Sequence, residues 1–321
     1  MACLLLGACR AQASDFTRNS VGTTGSEFLL MDQGARGIAM GGAFSAMTDD
    51  ANSVYWNPAG LTRVPRLSAT FMYSRYVQGV NYQSAYVASR LNDTSVIAGG
   101  WRYRDVGPID HTDINGATIG TFQPRDYVAE VGWAQSILDL SDSEVDVTMG
   151  VVGRFMRSDY IAKADGISGD IGIQSRFYTS RRSYDMSFVA QNLGKGQQFD
   201  QKRDPSPFQA RLGAAMSVVK PLLVSIEAIM PANNIVHGAL GLEYAMDLAP
   251  HVRGALRGGF NSLTMDGLGT ASALSFGWGV NVGDLSFDYA FVPMGVLGTD
   301  THRISVSFNL PAKVSRRYRE R

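Results

Sequence analysis

Cysteine, net charge and long apolar runs are all scarce in this chain of 321 residues. The two cysteines, Cys3 and Cys9, lie at the extreme N-terminus, so the rest of the chain has neither a disulfide framework nor a thiol metal ligand. The 29 basic residues balance 29 acidic ones, which leaves no basic footprint and gives no reason to expect a nucleic-acid partner. No window holds the ~18 consecutive apolar residues of a transmembrane helix. The four histidines, His111, His237, His251 and His302, are scattered without metal-ligand spacing. Neither a nucleophile elbow nor a phosphate loop is present, so no catalytic residue, metal or cofactor is expected and the chain does not read as an enzyme.

What the chain has in quantity is glycine, 35 residues, with 13 tyrosines and 15 phenylalanines, a composition that leans toward β structure. Residues 1–13 read as a truncated signal peptide, with Leu4-Leu5-Leu6 as apolar core and Ala11-Gln12-Ala13 as cleavage site. Leu6-Gly7-Ala8-Cys9 permits a second reading, a lipoprotein box. Cleavage after Ala13 leaves a mature chain without cysteine, which suits an oxidising compartment.

A membrane-crossing strand needs about 9–11 residues with one apolar face and one polar face. From residue 66 onward such segments recur, at 66–77, 81–91, 93–104, 125–137, 144–157, 169–180, 182–193, 208–219, 221–230, 235–246, 251–261, 271–282, 284–293 and 301–310. In the twelfth, Leu274, Phe276, Trp278, Val280 and Val282 share one face, opposite Ser275, Gly277, Gly279 and Asn281. Charges fall on the polar faces: Glu130, Arg154, Arg176, Asp185, Arg211, Glu227, Glu243, Arg253, Arg257 and Asp288. A guanidinium misplaced at mid-membrane costs roughly 2–4 kcal/mol, so this register is strongly constrained. A soluble β-sandwich would alternate too, but it does not call for fourteen spans of near-constant length. The expected fold is therefore all-β, a closed antiparallel transmembrane barrel of about fourteen strands. Mixed charge signs inside favour a cross-linked interior over a strongly ion-selective pore.

Loop lengths agree with this reading. Tight turns at Asn92-Asp93, Arg181, Lys220-Pro221 and Gly283-Asp284 follow even strands, whereas the longer segments 105–124, 158–168, 194–207, 262–270 and 294–300 follow odd ones. Long loops are expected outside the cell and turns in the periplasm. Residues 311–321 form a basic tail expected to be solvated in the periplasm.

Residues 14–65 lack the period of two and are dense in glycine and alanine; they are expected to form a small plug in the barrel mouth. Met40 and Met47 suit packing there, Asn57-Pro58 signals a turn, and Asp49-Asp50 reads as a cap rather than a cation site. Arg36 is the plug residue of most interest. A guanidinium inside a barrel needs carboxylates, and Glu130, Glu227, Glu243 and Asp288 are candidates to tie it to the wall; the other reading is an exposed periplasmic turn.

Several runs carry a family resemblance: Gly25-Ser26-Glu27-Phe28-Leu29, Gly34-Ala35-Arg36, Met40-Gly41-Gly42-Ala43, and Tyr55-Trp56-Asn57-Pro58-Ala59-Gly60-Leu61. So do Phe287-Asp288-Tyr289-Ala290-Phe291-Val292-Pro293, Leu297-Gly298 and Thr301-His302-Arg303-Ile304-Ser305-Val306 near the C-terminus. Together they resemble the PorV/PorQ family, within the larger group of FadL-like outer-membrane barrels. The resemblance implies a fourteen-stranded barrel with an N-terminal hatch, in which Arg36, Met40, Gly41, Gly42, Asn57, Pro58 and Ala59 belong to the hatch motif. It implies one of two roles. PorV-like members serve type IX secretion, binding C-terminal sorting domains of exported proteins; FadL-like members pass hydrophobic compounds such as fatty acids or aromatics. The chain departs from common barrel practice in ending its last strand near Leu310 rather than at an aromatic residue.

Overall fold

The computed structural model describes residues 16–139, 145–179, 182–219, 221–298 and 300–311. The expected signal peptide at 1–13 and the tail beyond Pro311 lie outside the described residues.

The wall is built from β1 (Leu67–Arg75), β2 (Asn81–Arg90) and β3 (Ser95–Asp105), followed by a small hairpin, β4 (Ile109–Thr112) with β5 (Thr118–Phe122). It continues through β6 (Arg125–Asp139), β7 (Val145–Asp159), β8 (Lys163–Tyr178), β9 (Ser183–Lys195), β10 (Gln209–Val219) and β11 (Leu222–Pro231). The remaining strands are β12 (His237–Ala249), β13 (Val252–Asn261), β14 (Leu274–Val282), β15 (Leu285–Pro293) and β16 (Asp300–Leu310). Every strand but the β4–β5 hairpin joins one closed antiparallel barrel of fourteen strands, in which β1 pairs with both β2 and β16.

Side-chain alternation sets the two faces. Leu274, Phe276, Trp278, Ile304, Val306 and Phe308 are exposed on the outside, while Ser275, Ser305 and Ser307 point inward and are buried. This outer apolar belt runs round the barrel through residues such as Val87, Val131, Phe155, Ile171, Phe188, Leu212, Ile226 and Leu242.

Two of the expected long loops are partly strand. Alternation continues through 158–168, so β7 and β8 extend to Asp159 and from Lys163, leaving residues 160–162 as the connection. Cross-strand pairing of Asp159 with Lys163, Nζ to Oδ2 at 2.9 Å, supports that extension. The segment 105–124 holds the β4–β5 hairpin, and 262–270 holds a short helix capped by the Asn261 side chain, which accepts from Leu263 N at 3.0 Å. The strand expected from 271 starts at Leu274, because Thr270–Ala273 coils into a 3₁₀ turn.

Residues 25–65 pack against the inner face of the wall, while most of 16–24 stays exposed at the long-loop end. They form short helical turns, including α1 (Ala35–Ala39) and α2 (Ser53–Trp56), and a 3₁₀ turn over Pro58–Arg63. Ala35, Ala39, Met40, Phe44, Val54, Tyr55, Trp56 and Leu61 are buried in one cluster with wall residues Met72, Tyr82, Tyr86, Val96 and Val152. Helices of four or five residues are too short to persist alone; the wall holds them in place.

Candidate functional site: the barrel interior

The inner segment enters contact with the wall at the long-loop end, where Gly25 N donates to Pro205 O at 3.0 Å and Asn233 Nδ2 donates to Glu27 Oε1 at 2.7 Å. It leaves at the short-turn end. There the Arg90 guanidinium gathers the carbonyls of Thr62, Val64 and Pro65, and also donates to Asp93 O at 3.0 Å. The segment thus runs the height of the barrel.

Close backbone approach places it against the wall. At Gly41, φ is +68°, and an added Cβ would stand 2.6 Å from Phe260 N, so glycine is required on both counts. On the wall, glycines face Met40 and the Asn57-Pro58 turn: a Cβ at Gly241 would stand 2.7 Å from Met40 Cε, and one at Gly150 would stand 2.6 Å from Ala59 N. Asn57 holds its turn by accepting from Ala59 N at 3.0 Å through Oδ1 and donating to Ser45 O at 3.0 Å through Nδ2. Pro58 opens the following 3₁₀ turn, where its fixed φ fits and its missing N–H costs nothing.

Ion pairs complete the attachment: three groups hold its middle, and Arg63 near its end adds a fourth, to Asp185 of β9. Arg36 of α1 bonds Glu243 of β12, Nε to Oε2 at 2.8 Å and Nη2 to Oε1 at 2.9 Å, and also pairs with Asp49 at 2.8 Å. Glu243 in turn accepts from Arg257 at 2.7 Å, and Arg257 reaches Asp288 at 2.6 Å. In the second group Arg211 pairs with Glu227 and donates to Gly42 O at 2.6 Å, while Ser45 N donates to Glu227 at 3.0 Å. In the third, Glu130 receives Arg154 at 2.7 Å and Arg102 at 3.1 Å, and Arg154 also meets Asp170 at 2.7 Å. Arg102 donates to Leu29 O at 3.2 Å, which brings this group to the inner segment as well.

Arg253 stands apart. It was expected among the interior charges, but its side chain is 70% exposed and, among the described residues, its ion pair is with the exposed Asp247 at 3.0 Å. Its parity is that of Arg257, yet it sits one residue from the end of β13, below the level that the inner segment fills.

Sequence reading missed Arg102, Asp170, Arg63 and Arg90. Asp170 has the parity of Arg176 on an expected strand, a usable signal. Arg102 and Arg90 lie on strands whose alternation is noisy, and Arg63 acts at the segment's end, where no period exists to read. Arg63 pairs with Asp185, which Arg176 also reaches at 2.8 Å.

Burial shapes the charge states within the inner segment. It opposes the Arg36 charge, but the Asp49 and Glu243 carboxylates outweigh it and hold Arg36 well above the ordinary arginine range. Burial, then the neighbouring Asp49 carboxylate, pushes Asp50 up from 3.8 to about 6, against the opposing pull of Arg36 and Asn52. Burial lowers Arg63, and the Asp185 carboxylate offsets part of that. Among the described residues no group of three His, Cys, Asp or Glu side chains is placed to hold a metal ion.

Above the ion pairs, a cavity of about 400 Å³ lies at the long-loop end, lined by Leu30, Ile38, Ile229 and Val292 on apolar walls and by Asp32, Arg211 and Arg303 among its charged groups.

A family model described as type IX secretion system protein PorV matches residues 14–201. No curated protein sequence matches the chain. Among solved structures, the toluene transporter TbuX of Ralstonia pickettii superposes with a TM-score of 0.56 at 12% identity, over 88% of this chain and 100% of that one. The toluene transporter TodX of Pseudomonas putida gives 0.53 at 11% identity, over 86% and 96%. A FadL homologue from Pseudomonas aeruginosa gives 0.51 at 8% identity, over 86% and 98%. At such identities the likeness is one of fold.

Proposed function

Since the chain belongs to the PorV family, we propose that it is a non-enzymatic outer-membrane barrel serving protein export and surface display. Its outer apolar belt meets lipid, its long loops face outward, and residues 14–65 act as a plug within a wall spanning 66–310. The partners of this reading are C-terminal sorting domains of exported proteins and other components of the secretion apparatus. The observation that carries it, beyond family membership, is the occupied interior: the inner segment is bonded to the wall at both ends and through four ionic groups. A barrel filled in this way favours a binding platform over an open conduit.

A second reading, a channel for hydrophobic compounds of the kind named for the toluene transporters, draws support from the cavity at the long-loop end. Crosslinking and pull-down from outer membranes separates the two. Export predicts recovery of secreted proteins that share a C-terminal domain. Recovery of none, together with a hydrophobic compound bound in the lumen, supports the channel and overturns the export role.

A further inference from the structure

On the outer face, aromatic side chains gather toward the long-loop end. Tyr73 of β1 and Tyr289 of β15 flank Ile304 of β16 in one pairing row, and Trp278 stacks on Tyr289 with ring centres 5.9 Å apart. Both tyrosine hydroxyls reach one row nearer the loops: Tyr73 donates to Asn81 Oδ1 at 2.8 Å, and Tyr289 Oη meets His302 Nδ1 at 2.6 Å. Rings on the apolar side with polar atoms just beyond them make an aromatic girdle, the arrangement found where hydrocarbon gives way to headgroups. The next row toward the loops therefore lies at headgroup height.

In that row Arg75 of β1 stands directly between His302 of β16 and Asn81 of β2. Arg75 and His302 are exposed and share the outward parity of Phe71, Tyr73 and Ile304. Opposite residues on antiparallel strands hold their Cβ atoms about 4.5–5.5 Å apart, so guanidinium and imidazole are within reach of one anion. The His302 ring is steadied by Tyr289 and Phe291, at 6.0 and 5.5 Å between centres. A Tyr289 hydroxyl that donates to Nδ1 leaves the imidazole proton on Nε2, free to be given away.

Three other outward cations at this end have carboxylates, and Arg75 does not. Arg125 lies 3.9 Å from Asp105, Arg157 lies 3.6 Å from Asp165, and Lys163 lies 2.9 Å from Asp159. Among the described residues the Arg75 guanidinium makes no ion pair, hydrogen bond or ring contact. Asp300, two residues nearer the loop on β16, pairs with neither Arg75 nor His302. An unclaimed guanidinium fork, whose planar donors match the oxygens of a phosphate, thus stands beside an imidazole at the rim of an apolar belt.

We propose that Arg75 and His302 seat the phosphate of an outer-leaflet glycolipid of the lipid A type. Its acyl chains lie on the belt below, along Phe71, Ile304 and Val306, which are exposed on the same face. The site rests on the reading of the chain as an outer-membrane barrel with its long loops outward, since that topology puts the girdle in the outer leaflet.

The test is native mass spectrometry of the barrel released from phosphatidylcholine nanodiscs doped with either lipid A or dephosphorylated lipid A. Wild type retains lipid A about fivefold or more over the dephosphorylated form, the scale of one basic side chain at an anionic membrane surface. Arg75→Ser and His302→Gln each shrink that ratio. Arg253→Ser removes an equal charge at the opposite rim and leaves the ratio as in wild type. Heat-modifiable gel migration checks that each variant is folded. Equal retention of the two lipids, a ratio that survives Arg75→Ser or His302→Gln, or an equal fall in Arg253→Ser overturns the site while leaving the membrane reading intact. A protein that does not insert into the discs overturns the membrane reading and the site with it.

Discussion

Arg36 and Glu243 meet through two hydrogen bonds, at 2.8 and 2.9 Å, although 207 positions separate them in the chain. The same carboxylate receives Arg257, which reaches on to Asp288, so a five-residue helix is anchored to β12 and, through shared charges, to β13 and β15. Bidentate pairing of this kind fixes orientation as well as distance.

Arg36→Ala is therefore expected to loosen the inner segment while leaving the wall closed. Removing one partner of a mostly buried pair costs about 3–5 kcal/mol, here from docking of the segment. Small-solute leakage in liposome-swelling assays should rise while heat-modifiable migration persists. Unchanged leakage would show that Arg36 is not what ties the plug to the wall.

Glu130 serves two arginines, and the side chains of Arg102, Arg154 and Glu130 are at most 2% exposed. Glu130→Gln leaves the Arg102 guanidinium without a carboxylate, while Arg154 keeps Asp170. The barrel should lose about 3–5 kcal/mol, seen as a lower temperature for the gel-shift transition. The double change Arg102→Met with Glu130→Gln should recover part of that loss.

Gly172 and Gly153 offer a matched comparison on neighbouring strands. A Cβ at Gly172 would collide with Asn57 Oδ1 and stand 3.0 Å from Pro58 Cδ, whereas one at Gly153 meets nothing within 4 Å. Gly172→Ala should cost about 1–3 kcal/mol, the usual range for overpacking, and speed proteolysis of the inner segment. Gly153→Ala should behave as wild type in the same digestion.

Asp50 gives a pH dependence opposite to that of a salt-bridged carboxylate. Its folded pKa is raised from 3.8 to about 6, so between those values the folded state holds the proton more tightly than the unfolded chain does. Its contribution favours the docked segment below pH 4 and is lost as pH rises toward 6, by up to ~3 kcal/mol. Protease protection of the segment measured at pH 4 and pH 7 should change less in Asp50→Asn than in wild type.

Much of this was legible before any coordinates, for a physical reason. A barrel wall repeats every two residues, so Leu274, Phe276 and Trp278 announce their face as soon as the period is noticed, and Glu130, Arg154 and Glu243 announce the other. Loop ends were harder. Strands β7 and β8 run on past the membrane-length estimate, because alternation continues wherever a hairpin remains paired. The inner segment has no period, and its partners are chosen by three-dimensional proximity. Arg36 was recognisable as a cation in need of a carboxylate, but its choice of Glu243 among four candidates was not readable. Arg253 shows the limit of parity, which gives the face of a strand but not the height along it. The pairing of Arg75 with His302 carried no signal, because it depends on which strands become neighbours.

The closing seam of the barrel has a consequence for how the molecule is made. β1 pairs with β16 over nine positions, from Leu67 opposite Leu310 to Arg75 opposite His302, uniting the two ends of the wall. Contacts this distant in sequence form late, because the intervening chain must be gathered first. The inner segment, immediately before β1, has contacts on β3, β7, β10, β12 and β14. A segment that already lies in the half-rolled sheet when the last strand zips home is enclosed on every side, like a letter placed before the envelope is sealed. With β16 paired to β1, its release requires either unzipping the seam or withdrawing the segment through one end.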